Sequence, residues 1–581
     1  MSERIRVGTL VELARDGVRV VSAGAVPVAV FHDGGRVHAV DNRCPHMGFP
    51  LHQGSVKDCV LTCHWHQARF DLASGSTFDL FADDVPAYDT FVEGGEVFVA
   101  TTPRRHADAA WHRRRLLKGL DTNIGLLIAK SLMGLLEAGE DPVEIIRVAV
   151  RFASERSETG GQGLVLLGVY GNMLSRLSAD TKYFALFRAV SQVAGDTAGA
   201  PPRRVLEPLD TEVHDQPHLA GWFRTATKGR LREGAMRVMM TSLRQRATDA
   251  ELSDMLAGSD ADRVYPATGH PFDAVNKAFE LAALAGPDLR GALFPLVVDG
   301  VVGSRGMEEN AGWHQPIEII EPLRAAEMRL PGLLERANGT PWNDDGALGK
   351  VLLGENPLAI ITALEGALGA GAPPADMAKQ VALAAATRLA RFASSNEVGD
   401  WFNPQHTFIF ANAVHQAVKR SPTPAVVRAV FHAALAVYMD RFLNVPPAPL
   451  PGERWALDEL PAGADDLCRA LLSALDRHED PDAAGRIVAR YLRAGHPADR
   501  LVDALALATV REDLDFHASQ VLEAGVRQFG EWAGRPEAEL ILVGVARHLA
   551  AFCPTRRAGH QTASIARRLH RGEKIFEEAT P

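Results

Sequence analysis

The chain is poor in cysteine, in cationic excess and in long apolar runs, and each shortage closes off a class of protein. Only five cysteines occur in 581 residues: Cys44, Cys59, Cys63, Cys468 and Cys553. That is too few, and too scattered, for a disulfide framework, and it suits a reducing, cytoplasmic setting. The formal net charge is −10, which argues against nucleic acid or an anionic membrane as partner. The most apolar stretch, 126 to 136, is short and broken by Lys130, so no membrane span is expected. Residues 1–6 carry no apolar run and do not read as a signal peptide. No Gly-x-Gly-x-x-Gly strand–turn–helix, His-Glu-x-x-His or Glu-x-x-His pattern appears, so nucleotide, zincin and di-iron-bundle signatures are missing. What remains is an ordinary globular composition, 46% hydrophobic and 23% charged, at a length that calls for two or three domains.

One stretch organises the rest. Cys44-Pro45-His46 is followed by sixteen residues, 47 to 62, and then by Cys63-His64-Trp65-His66. C-x-H and C-x-x-H on two turns of a strand-rich segment supply two thiolates and two imidazoles. That is the donor set of a [2Fe–2S] cluster in which two Cys hold one iron and two His the other. Zinc is the alternative, but its ligand pairs are usually C-x₂₋₄-C. In order, spacing and ligand type, Cys44, His46, Cys63 and His66 resemble the loops of Rieske ferredoxin domains. Gln67 departs from the glycine common there. High-potential members add a disulfide between the loops; here the matching places hold Phe49 and Trp65. The resemblance therefore implies the ferredoxin or oxygenase type, with a potential of roughly −150 mV. Cys59 reads as a buried strand residue.

Residues 1–101 read as this all-β domain. Val18–Val21, Val26–Phe31 and Val97–Val99 are strand runs, and Asp33-Gly34-Gly35 and Glu93-Gly94-Gly95-Glu96 are hairpin turns. Polar residues 102–111 read as a linker. From 112 to 581 apolar residues recur at three and four, as in Leu116, Leu120, Ile124 and Leu127. This predicts a large all-α catalytic domain, divided if anywhere near the Pro-rich 445–463 segment.

A Rieske cluster carries one electron and needs a second centre for bond chemistry. The Asp-x-x-His-x₄-His pattern of ring-hydroxylating oxygenases is absent: Asp215 and His218 occur, but Phe223 stands at the last place. The helical region instead offers His270, His314, His406, His415 and His517 in aromatic or Pro/Asn-bearing settings. Several imidazoles converging in one core can form a mononuclear non-haem iron site with open positions. His406 and His415 are nine residues apart, on opposite helix faces, so one helix cannot aim both at one ion; His415 is the preferred member. Asp273 and Lys277 share a face with His270, Asp273 as an orienting carboxylate and Lys277 as an anion partner or an exposed lysine. Glu318, four residues after His314, offers a carboxylate ligand.

His270-Pro271-Phe272 and the Phe408–Ala417 segment also resemble, distantly, questin-oxidase-like oxygenases. Their His-rich segment is missing at Gly171–Leu174. That resemblance implies O₂ chemistry on an aromatic or quinone-type substrate. Electrons would come from a separate NAD(P)H-dependent reductase or ferredoxin, and a homo-oligomer would let them cross between subunits. The competing reading is an electron-transfer or redox-sensing Rieske protein whose helical domain binds a partner and holds no second metal. Haem has no C-x-x-C-H motif to support it.

Overall fold

The computed structural model describes residues 3–24, 26–104, 108–211, 214–337, 346–454, 456–477, 481–571 and 573. Among the described residues, nine strands, with one short α-helix (Leu10–Asp16) after the first, are followed by a long all-helical region. The strands are β1 (Arg4–Thr9), β2 (Val18–Ala23), β3 (Val26–Asp33), β4 (Arg36–Asp41), β5 (Ser55–Lys57), β6 (Val60–Thr62), β7 (Arg69–Asp71), β8 (Ala87–Glu93) and β9 (Glu96–Pro103). Six form an antiparallel sheet in the order β1-β9-β8-β4-β3-β2, and β5-β6-β7 form a second, smaller sheet. Gly34-Gly35 joins β3 to β4, with Asp33 opposite Arg36. Gly94-Gly95 joins β8 to β9, with Glu93 opposite Glu96. Both are two-residue hairpins with positive φ at each central residue, the turn whose twist matches paired strands. Cys59 is not a strand residue. It has φ 62° beside Asp58 at φ 53° and forms the matching turn between β5 and β6.

The chain separates into two compact units, 1–141 together with 558–581, and 142–557. The sequence boundary at the 102–111 linker therefore does not coincide with the packing. Helices Ala109–Thr122 and Gly125–Glu137 pack on each other, and the last helix, Ala558–His570, packs on Gly125–Glu137. All three belong to the β unit. Their apolar stripe, with Leu116, Leu120 and Leu127 at most 1% exposed, is what fixes them there. The Pro-rich 445–451 stretch lies inside the second unit.

The second unit is helical throughout its described residues. At its centre runs Phe402–Arg420, buried almost continuously from Pro404 to Val418. It packs against Pro374–Ala390, Pro424–Met439, His270–Ala285 and Phe516–Glu531. A helix buried on all sides belongs in the middle of a large core. Among the described residues no helix is long and apolar enough to cross a membrane.

Candidate functional site

The two loops of the β unit are built alike. The Cys44 N–H donates to the Phe49 carbonyl at 2.8 Å, and the Cys63 N–H to the Ala68 carbonyl at 2.8 Å. The Gly48 N–H returns to the Cys44 carbonyl at 2.7 Å, and the Gln67 N–H to the Cys63 carbonyl at 3.0 Å. Gly48 and Gln67 occupy the same place, with φ of 82° and 62°. A side chain there costs about 1 kcal/mol, so Gln67 is a mildly strained stand-in for glycine. Phe49 and Trp65 face each other across the loops with ring centroids 6.3 Å apart. All five cysteines are free.

The donor set fits a Rieske cluster. Cys44 and Cys63 are buried, and their thiols hydrogen-bond to each other, which pushes Cys44 up and Cys63 down. The His46 and His66 rings are 4.7 Å apart. Buried His46 Nδ1 has no hydrogen-bond partner, so its nitrogen is free to serve as a ligand. Burial lowers His46 to about 4, so it offers the neutral imidazole such a cluster takes. His52 instead bonds Asn42 Oδ1 at 3.0 Å. Lys130, which in sequence merely interrupts an apolar run, donates its ammonium to the Pro45 carbonyl between Cys44 and His46. Burial lowers it to about 8.

In the helical unit, His270, His406 and His517 come together and are the one group of three ligand-type side chains within 4.8 Å of one another among the described residues. His517 Nε2 is 2.8 Å from His270 Nε2 and 3.1 Å from His406 Nε2. Each imidazole is held from behind. His270 Nδ1 faces the Ala267 carbonyl at 2.7 Å. His406 bonds the Phe402 carbonyl. His517 Nδ1 is 2.9 Å from Asp515 Oδ2, while Asp515 Oδ1 caps the helix by accepting the His517 N–H at 3.1 Å. Carbonyl and carboxylate oxygens only accept, so a proton on Nδ1 answers these contacts and leaves the Nε2 side of each ring to the other two histidines.

Local backbone sets this up. Tyr265, Ala267 and Thr268 all have positive φ, between 43° and 53°, which turns the Ala267 carbonyl back toward His270. Gly269 follows at φ 86°, where a Cβ would stand 2.6 Å from the Phe410 ring. Pro271 then starts the helix. Phe402 and Phe516 pack on the histidine rings.

Two sequence candidates stand elsewhere. His415 is on the opposite face of its helix and hydrogen-bonds Gln528 through Nδ1 at 3.0 Å, so His406, not the preferred His415, joins the group. His314 is exposed and tied to Glu318 and to the Glu308 carbonyl, so neither it nor the carboxylate expected beside it joins the triad. Asp273 does not orient His270. It accepts from Gln520 Nε2 at 2.6 Å. Lys277 is not exposed. It is 1% accessible and pairs with Glu523 at 2.8 Å and Glu280 at 3.0 Å. Burial works against its charge, but Glu280, Glu523 and Asp273 more than offset this and raise it. Lys277→Met strands those carboxylates and is expected to destabilise the helical unit by about 3–5 kcal/mol, read from the urea midpoint; an unchanged midpoint contradicts the burial. His548, unremarked in sequence, is buried and bonds Gln405 at 2.7 Å, beside His406.

The Rieske [2Fe-2S] domain model matches residues 3–89. The 3-phenylpropionate/cinnamic acid dioxygenase ferredoxin subunit of Escherichia coli (strain K12) is 34% identical over 74 residues, 12% of this chain and 70% of that protein. Apoptosis-inducing factor 3 of Homo sapiens is 30% identical over 89 residues, and the chain spans 15% of its length. The solved ferredoxin of carbazole 1,9a-dioxygenase from Nocardioides aromaticivorans IC177 is 32% identical, covering 17% of this chain and 98% of that one, with a TM-score of 0.17. Through residues 3–89 the chain thus belongs to the Rieske [2Fe-2S] domain family.

Proposed function

We propose that the protein is a Rieske-fused oxygenase: Cys44 and Cys63 hold one iron of the cluster, His46 and His66 the other, and His270, His406 and His517 hold a mononuclear non-haem iron. The observation that carries the second site is His517 Nε2 standing 2.8 Å from His270 Nε2 and 3.1 Å from His406 Nε2. Bare lone pairs at that spacing repel unless a cation lies between them. For an ion about 2.0–2.1 Å from each imidazole nitrogen, two nitrogens at right angles stand about 2.9 Å apart. The two spacings are those that neighbouring ligands of one ion would show, so His270, His406 and His517 could hold it.

The cluster supplies electrons singly, and the iron supplies a site for O₂ activation. The overall reaction is R–H + O₂ + 2 e⁻ + 2 H⁺ → R–OH + H₂O. The chain's own contribution is positional. Ala267, Phe402 and Asp515 fix the three tautomers, and such orienting partners are worth about 10–100-fold in metal affinity. Phe402 and Phe516 wall the triad with aromatic surface suited to an aromatic or quinone-type substrate. All three histidines lie in the first two turns of their helices, where the backbone carries partial positive charge. That favours an anionic group, such as a phenolate, beside the ion. The dioxygenase ferredoxin relatives support the redox role, and a separate NAD(P)H-dependent reductase or ferredoxin would supply electrons.

The test is single-turnover reoxidation. Protein reduced with one equivalent of dithionite is mixed with O₂, and the return of the cluster's visible absorption is followed. Wild type is expected to reoxidise at least about tenfold faster than His406→Ala. Equal rates would favour the electron-transfer reading without a second metal.

A further inference from the structure

Beneath the triad the two helices His270–Ala285 and Phe516–Glu531 face each other through a ladder of polar pairs. His270 meets His517 at 2.8 Å, Asp273 meets Gln520 at 2.6 Å, Lys277 meets Glu523 at 2.8 Å, and Glu280 meets Arg527 at 3.1 Å. Every side chain of the ladder between the histidines and Arg527 is buried.

Counting charge along it singles out one group. Glu523 pairs with both Lys277 and Arg527, at 2.8 and 2.6 Å. Glu280 pairs with the same two cations, at 3.0 and 3.1 Å. Asn172 from the neighbouring Gly161–Met173 helix clamps both carboxylates, at 2.8 and 3.0 Å. Two cations are thereby matched by two anions. Asp273 is the third acid, with only Lys277 Nζ at 3.9 Å. The remaining nearby cation, Arg420 on the Phe402–Arg420 helix, bonds Asn276 instead.

The Asp273–Gln520 contact tells the same story. At 2.6 Å it is short for an amide N–H donor and ordinary for an O–H donor. As placed, Gln520 Oε1 is buried without a partner. With the amide turned over, a protonated Asp273 donates to Oε1 and the orphan is satisfied; the two amide orientations differ only in assignment.

Resting on the reading of the triad as a metal site, we propose that Asp273 and the triad are linked: at mildly acid pH Asp273 is neutral while the triad holds no cation and gives up its proton when one binds. The Asp273 O–H bond breaks, the proton leaves to solvent, and the carboxylate left behind sits one helical turn from His270, where it compensates the ion's charge. Gln520 then turns its N–H₂ to the carboxylate. Burial raises Asp273 to about 6, against the opposing pull of Lys277 and with Glu523 and Glu280 adding to it, so the exchange falls in an accessible pH range. The sign is fixed: the proton is present below about pH 6 and already gone above it.

The experiment is calorimetric titration of Zn²⁺ into the full-length, cluster-loaded protein stripped of other metal, in buffers of different ionisation enthalpy, for wild type and Asp273→Asn. The difference in protons released per ion between the two isolates Asp273 from any imidazole protons. It is expected to be roughly three-quarters of a proton at pH 5.5 and almost none at pH 8. Gln520→Leu removes an N–H that favours the carboxylate, so its release profile should move to higher pH; this variant carries the test if Asp273→Asn does not fold. Zn²⁺ binding with no wild-type minus Asp273→Asn difference at pH 5.5, or with a Gln520→Leu profile that does not move, overturns the linkage. Failure of Zn²⁺ to bind, with the same heat in a His270→Ala/His406→Ala double variant, overturns the metal site itself.

Discussion

His517→Ala is expected to cost the protein one metal ion per chain while leaving the visible absorption of the cluster unchanged. His517 is the shared member of the triad: both short Nε2 contacts, 2.8 Å to His270 and 3.1 Å to His406, run through it. Its loss leaves two ligands and removes the ring that faces Asp515 Oδ2. Removing an orienting partner alone costs about 10–100-fold in metal affinity, so losing a ligand should cost more than about 100-fold and empty the site under ordinary purification. The cluster loops lie in the other compact unit, which is why their spectrum should not follow. Metal analysis beside the absorption spectrum checks this. Loss of the cluster signal together with the ion would mean that the triad supports the β unit rather than holding metal.

The second large effect is the converse. Cys63→Ser is expected to abolish the cluster absorption and the paramagnetic signal of the reduced protein, while far-UV circular dichroism keeps its helical amplitude. A serine hydroxyl stays protonated where a thiol gives the thiolate that binds iron. The loop itself is held by backbone bonds from Cys63 to Ala68 and Gln67, which serine preserves. Cys59→Ser, in the β5–β6 turn, should leave the cluster intact. If Cys63→Ser retained the signal, the ligand set would be wrong.

What could be read ahead of the structure follows the range of the interactions involved. The Rieske domain was legible because C-x-H and C-x-x-H are local, and so were the Gly34-Gly35 and Gly94-Gly95 hairpins. His270 and His517 were legible as helix starts, since Pro271 and Asp515 announce them. The choice between His406 and His415 was not. The helical wheel forbids both, but a helix buried from Pro404 to Val418 has no solvent-facing side to show which face meets the other histidines. Lys277 was ambiguous for a related reason: its partner Glu523 lies 246 residues away, and no local pattern shows that pairing. The boundary at 102–111 failed on the same ground. The Ala558–His570 helix packs with the Gly125–Glu137 helix, a pairing invisible to any window of sequence.

The most direct test of the account is the ratio of iron to acid-labile sulfide in purified, fully loaded protein. A cluster with a triad-held iron gives three irons and two sulfides per chain. Two irons and two sulfides, with no other metal bound, would contradict it: the three imidazoles would then share a proton, and the chain would carry electrons without doing chemistry on them.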